Sequence, residues 1–117
     1  MSAGATAAVR LTRQLELQER TSVADGAGGA HAQWQTLGTL WAAIDAGSGR
    51  EGGALGISRS AVPMKITVRA APVGSQRRPR PDQRFAEGAR IYKITAVAEA
   101  GSGARYLTCY AVEEVAV

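Results

Sequence analysis

Polar and apolar positions alternate along most of this chain, and the alternation predicts strands. Arg13-Gln-Leu-Glu-Leu-Gln-Glu-Arg20 sets Leu15 and Leu17 on one face, with Glu16, Gln18 and Arg20 on the other or trailing. Period-two alternation is the mark of a half-buried strand. Asp25-Gly-Ala-Gly-Gly29 supplies turn chemistry, so 13–37 reads as a hairpin whose second strand is Gln33 to Leu37. Thr39 to Ile44 reads as a third strand, with Leu40, Ala42 and Ile44 on one face and Trp41 and Ala43 on the other. Met64-Lys-Ile-Thr-Val-Arg-Ala70 is the cleanest strand: Met64, Ile66, Val68 and Ala70 face in, and Lys65, Thr67 and Arg69 face out.

Glu87-Gly88 turns the chain into a strand over Arg90–Val97, Gly101-Ser-Gly103 turns it again, and Arg105–Val112 pairs back. Residues 72–82 hold Pro72, Pro79 and Pro81 and cannot be a central strand. The glycine-dense stretch 47–56 reads as a long flexible loop, and 54–60 has room for a short helix that Gly56 weakens. Residues 1–10 read as a flexible arm, leaving 11–117 as one domain. About six short strands and no amphipathic helix predict an all-β fold, a small antiparallel β-barrel or sandwich with one long flexible loop.

Composition qualifies that picture. The chain has 117 residues and is 45% hydrophobic, but 23 of those residues are Ala, and Leu, Ile, Val and Phe together number 22. A domain with so thin a core often needs added stabilisation, and oligomerisation is one common source of it. The net charge is +4, and residues 1–60 are balanced, so the excess lies in the second half. Most of it sits in Arg77, Arg78, Arg80 and Arg84, offset by Asp82. That run is either a phosphate- or partner-facing patch or a solvated Pro/Arg loop. No apolar run reaches the roughly 20 residues of a membrane span, and no secretory signal opens the chain, so the default compartment is cytosolic.

Candidate chemistry is sparse. Gly47-Ser-Gly-Arg-Glu-Gly52 matches a dinucleotide-binding pattern in letters only. Gly52-Gly53 opposes a helix start, and no acid follows at the required distance. His31, the one histidine, reads as a surface hairpin residue, and Cys109, the one cysteine, as a small core residue. Glu113 and Glu114 are adjacent on an extended segment and point to opposite faces, so they are no acid/base pair. Trp34 and Trp41 read as core or interface anchors. No metal site, cofactor or enzymatic activity is expected.

The order of features resembles a known family. An early Leu15-Glu-Leu-Gln-Glu-Arg20 strand and a Gly-rich turn lead into Gln33-Trp34…Leu37…Leu40-Trp41-Ala42 and Ser48-Gly49-Arg50-Glu51. Lys65-Ile-Thr-Val-Arg69, Asp82-Gln-Arg84-Phe85, Gly88-Ala-Arg90-Ile-Tyr92-Lys-Ile94 and Tyr106-Leu-Thr-Cys109 follow. Over residues 11–115 this is similar to the head-closure, stopper or head–tail joining proteins of tailed phages and gene transfer agents. The glycine-heavy loop after Glu51 and the Ala/Gly-rich arm depart from the family pattern.

The resemblance implies a small β-barrel in a six- or twelve-fold ring at the virion neck, formed in the host cytoplasm during assembly. Such a ring joins a portal or adaptor protein to a tail terminator or tail tube and retains packaged double-stranded DNA, with no membrane involved. Ser48, Gly49, Arg50, Glu51 and Arg59 would then lie on a loop facing the DNA channel, and Arg77, Arg78, Arg80 and Arg84 at a partner interface. Another neck role, tail terminator or adaptor, and a small basic nucleic-acid-binding β-barrel are the alternative readings.

Overall fold

The structure, a computed structural model, describes residues 9–47, 61–100 and 105–114. Six strands form one closed antiparallel barrel: β1 (Arg13–Ala24), β2 (Ala30–Ala46), β3 (Ala61–Arg69), β4 (Arg84–Glu87), β5 (Arg90–Ala100) and β6 (Tyr106–Glu114). Their order around the barrel is β1-β2-β3-β6-β5-β4. β4 closes it against β1 through Glu16↔Ala86, Leu17↔Phe85 and Gln18↔Arg84.

The alternating residues fill the interior. Leu15, Leu17, Ala42, Ile66, Val68, Phe85, Tyr92, Ile94, Leu107 and Cys109 are all buried, and Leu37, Leu40, Ile44 and Val97 pack around them. On β3, Met64, Ile66 and Val68 are buried while Lys65 and Arg69 are exposed, as the alternation requires.

Two strand assignments need correction. The segments read as separate strands, 33–37 and 39–44, are one 17-residue strand, β2. The apparent break is a bulge: Leu17 pairs with Gly38 but Gln18 pairs with Thr36, so Leu37 is an extra residue on β2. The insertion moves the inward positions from the even series of Leu40, Ala42 and Ile44 to Leu37, which looks like the end of an element. Conversely, Arg84–Glu87 is a strand, β4, where the sequence shows only an approach to a turn. It turns into β5 through Gly88-Ala89, with Glu87 paired to Arg90 and Gly88 at φ 60°, a conformation glycine adopts at no steric cost. The strand number agrees with expectation only because the split and the omission cancel. The predicted turn at 101–103, the 54–60 helix and residues 1–8 of the arm lie outside the described residues.

β1 and β2 run well past the barrel. β1 meets β4 only over Glu16–Gln18, and β2 meets β3 only over Ala42–Ala46. From Glu19 to Ala24 and from Ala30 to Gln35, the two strands pair with each other alone among the described residues. The result is a two-stranded ribbon, exposed or half-buried along its length. Asp25 closes its tip: its Oδ1 accepts from the backbone N–H of Ala27 (2.8 Å) and Gly29 (3.0 Å).

Candidate interaction surface

The arginine run lies on the connection from β3 to β4 and on β4 itself, and the fold gives its four members different tasks. Arg80 Nη2 donates to Glu19 Oε1 at 2.8 Å, and Gln83 Nε2 donates to the same oxygen at 3.2 Å. Arg84 Nε donates to Gln18 Oε1 at 2.7 Å, and its guanidinium lies 4.0 Å from the centre of the Trp34 ring. Partial burial lowers the Arg84 pKa from its ordinary value. Gln18 and Glu19 point to opposite faces of β1, so the root of the ribbon is gripped from both sides. Arg78 Nη1 donates to the Ala71 carbonyl at 3.0 Å, bracing the connection itself. Arg77 is exposed, and no side-chain bond holds it among the described residues.

The connection is well fixed. Pro79 is fully buried, and Gln83, also buried, accepts from Arg80 N through its side chain while its carbonyl accepts from Ile94 N. Thr39, Trp41, Arg69, Pro72, Ser75 and Arg77 line an open groove of about 460 Å³ beside it. Trp41 is 54% exposed there, and Trp34 is half-buried on the outside of the ribbon. Neither tryptophan belongs to the core; an aromatic ring between arginines on an open face has the composition of a protein-binding surface.

The opposite mouth of the barrel holds a second charged cluster. Arg13 donates twice to Glu87, at 2.8 and 2.6 Å, and Arg90 donates twice to Glu113, at 2.7 and 2.9 Å. The buried Tyr92 donates its hydroxyl to Glu87 Oε1 at 3.4 Å, and Arg90 lies 5.4 Å from the Tyr92 ring centre. The hydrogen bonds from Arg13 hold the Glu87 carboxyl below its ordinary pKa, and those from Arg90 do the same for Glu113. Glu113 and Glu114 do diverge: the first is buried, the second exposed with Lys93 Nζ 3.7 Å away.

The remaining reactive side chains sit apart from one another. Cys109 is buried in the core, where desolvation pushes its thiol up to about 12, and His31 is exposed on the ribbon. Among the described residues no three His, Cys, Asp or Glu side chains converge as metal ligands. Ser48, Gly49, Arg50, Glu51 and Arg59, the predicted channel-facing loop, lie outside the described residues. The sequence pointed to the arginines Arg80 and Arg84 but not to their partners Glu19 and Gln18. Those pairs span more than 60 residues, and no local pattern announces them.

Comparison with known proteins places this architecture. Residues 6–114 match the family of phage head completion proteins. The chain belongs to that family. A chain of the virion of a native gene transfer agent particle superposes with a TM-score of 0.76 at 50% identity, over 92% of this chain and 98% of that one. The solution structure of protein SF1141 from Shigella flexneri 2a shares the fold, with a TM-score of 0.61 at 20% identity over 97% and 96% of the two chains. No curated protein matches. Head completion proteins are structural, and this one is a structural head–tail component of a phage or gene transfer agent virion.

Proposed function

We propose that this head completion protein forms the head-closure, or stopper, ring of the virion neck, joining a portal adaptor to the tail and retaining packaged DNA. The observation that carries the reading is the 50% identity, over nearly the whole of both chains, to a component of a gene transfer agent virion. The geometry agrees with a connector. The described residues put exposed aromatic and arginine side chains on one outer face, and a ribbon reaches away from the barrel.

In this reading the 48–60 segment, with Arg50 and Arg59, faces the DNA channel, and the face bearing Trp41, Arg69 and Arg77 meets a neighbouring protein. Charge reversal of Arg77, Arg78 and Arg80 together would stop tail attachment, but Arg78 and Arg80 also brace the fold. Arg77→Glu alone is the sharper probe, since among the described residues its side chain holds nothing else in place. Cryo-electron microscopy of particles carrying a tagged copy tests the assignment: density for the tag at the head–tail junction is expected. Tag density on the capsid shell or the distal tail would sink it. Particles lacking the protein should be tailless heads that lose their DNA.

A further inference from the structure

We propose that copies of this chain join edge to edge through the β1–β2 ribbon, the outer edge of β2 in one copy pairing with the outer edge of β1 in the next. The ribbon is the one part of the described sheet with two open edges. β1 beyond Gln18 and β2 before Ala42 have a strand neighbour on one side only. β5 beyond Ile94 also has an open edge, but the strand it pairs with there, β6, is paired on its other side to β3, so only the ribbon is open on both sides.

The direction of the free backbone groups follows from one bond. Asp25 N–H donates to the Gly29 carbonyl at 3.1 Å, so hydrogen-bonded pairs fall on Val23↔His31, Thr21↔Gln33 and Glu19↔Gln35. The intervening pairs, Ala24↔Ala30, Ser22↔Ala32 and Arg20↔Trp34, therefore turn their N–H and C=O groups outward. Three residues on each edge thus carry free donors and acceptors at the same spacing.

Open edges in folded proteins are usually blunted by charge, proline or brevity. Here the β2 edge from Ala30 to Trp41 has no Asp, Glu, Lys, Arg or Pro, and the β1 edge carries charge only at its root, Glu19 and Arg20, with none from Thr21 to Ala24. A two-stranded ribbon alone is also marginally stable in water. Both facts point to a partner strand, and the partner that suits both edges is a second copy. Because β1 and β2 are antiparallel, repeating the ribbon side by side keeps every new pair antiparallel. Joining β2 to β2, or β1 to β1, would leave an edge open on each pair of molecules. Joining β2 to β1 leaves none once the ring closes, and it is the heterologous contact that rings are built from. The contact gives the proposed ring its subunit interface, so its biological meaning rests on that reading, while its geometry does not.

Ala32→Pro removes an outward N–H and leaves the β1–β2 ladder intact, since the Ala32 amide is not used within the ribbon. Light scattering of the purified full chain should show wild-type oligomers growing with concentration and Ala32→Pro held as a folded monomer. A proline variant that assembles as wild type would overturn the edge contact, and so would a wild-type chain still monomeric at millimolar concentration. Cysteine pairing gives an answer that does not depend on the proline variant folding. Ser22→Cys and Ala32→Cys proteins, mixed and oxidised, should cross-link to each other more than either does to itself; the buried Cys109 takes no part. Self-linking of either single variant at the same rate as the mixture would overturn the head-to-tail arrangement. Normal assembly of Ala32→Pro with a tag still at the neck would refute the contact alone, whereas a tag elsewhere would refute the neck assignment alone.

Discussion

The same two strands, β1 and β2, live in two environments. Along Arg13–Leu17 and Ala42–Ala46 they are walls of a barrel, with Leu15 and Leu17 on one and Ala42 on the other sealed from solvent. Past the bulge at Leu37 they leave the barrel, and no residue of the ribbon from Glu19 to Gln35 is buried. Stability is thus concentrated in one half of the hairpin and interaction surface in the other. The bulge and the two clamps beneath it, Arg80–Glu19 and Arg84–Trp34, mark the boundary between them. A fold divided this way can change its contacts without endangering its core.

The division is sharpest if its two sides are attacked separately. Phe85→Ala should have the largest effect. Phe85 is fully buried on the short strand that closes the barrel, and such truncations cost about 3–5 kcal/mol. Denaturant unfolding should show that loss. Truncations on the ribbon, such as Val23→Ala, should leave the midpoint nearly unmoved. If both destabilise equally, the ribbon is part of the cooperative core and the division fails.

Next in size is the charged mouth. Glu113→Ala removes the buried carboxylate that the half-exposed Arg90 grips with two hydrogen bonds, an expected loss of about 1 kcal/mol, since water can reach the freed guanidinium. The same cluster predicts a pH dependence. Glu87 and Glu113 have folded pKa values below the ordinary 4.5, so the stability they contribute is fully present above about pH 4.5. It is lost as the pH falls through their folded values. Thermal midpoints measured downward from pH 6 should therefore drop below pH 4.5, and the Glu113→Ala variant should drop less. Identical slopes in the two proteins would mean that other groups govern the acid limb.

The barrel was largely legible in the sequence because its strands obey a local rule. Met64-Lys-Ile-Thr-Val-Arg69 and Tyr106-Leu-Thr-Cys109 alternate without interruption, and both are strands with the expected faces buried. β2 misled because one inserted residue at Leu37 shifts the alternation, and Gly38 beside it imitates a turn. β4 was invisible because four residues after a proline-rich stretch give too few positions for a period to show. The candidate surface was half legible. Arg77–Arg84 stood out as charge, but which arginines are bound and which is free depends on Glu19, Gln18 and Trp34, brought in from the hairpin by barrel closure.

A smaller effect tests the boundary itself. Trp34→Ala removes the ring beneath Arg84, an interaction of about 0.5–1 kcal/mol at a site this open. A double-mutant cycle with Arg84→Met should recover a coupling of that order, while the barrel midpoint shifts little. Zero coupling would mean that the stack is incidental and that the hydrogen bonds to Glu19 and Gln18 anchor the ribbon without it.

The smallest expected effect is at the tip. Asp25→Ala deletes the carboxylate that receives the Ala27 and Gly29 N–H groups, the same hydrogen bonds that lower the Asp25 pKa from 3.8. The turn also depends on Gly26 and Gly28, both at positive φ, which the substitution leaves in place. Amide exchange should therefore quicken from Val23 to His31 and fade by the clamps at Glu19 and Trp34, with no change in barrel protection. Exchange that quickened in β3 or β6 as well would show that the tip and the core unfold together. In that case the outward-facing backbone of the ribbon would be held by the barrel rather than left for a neighbour to complete.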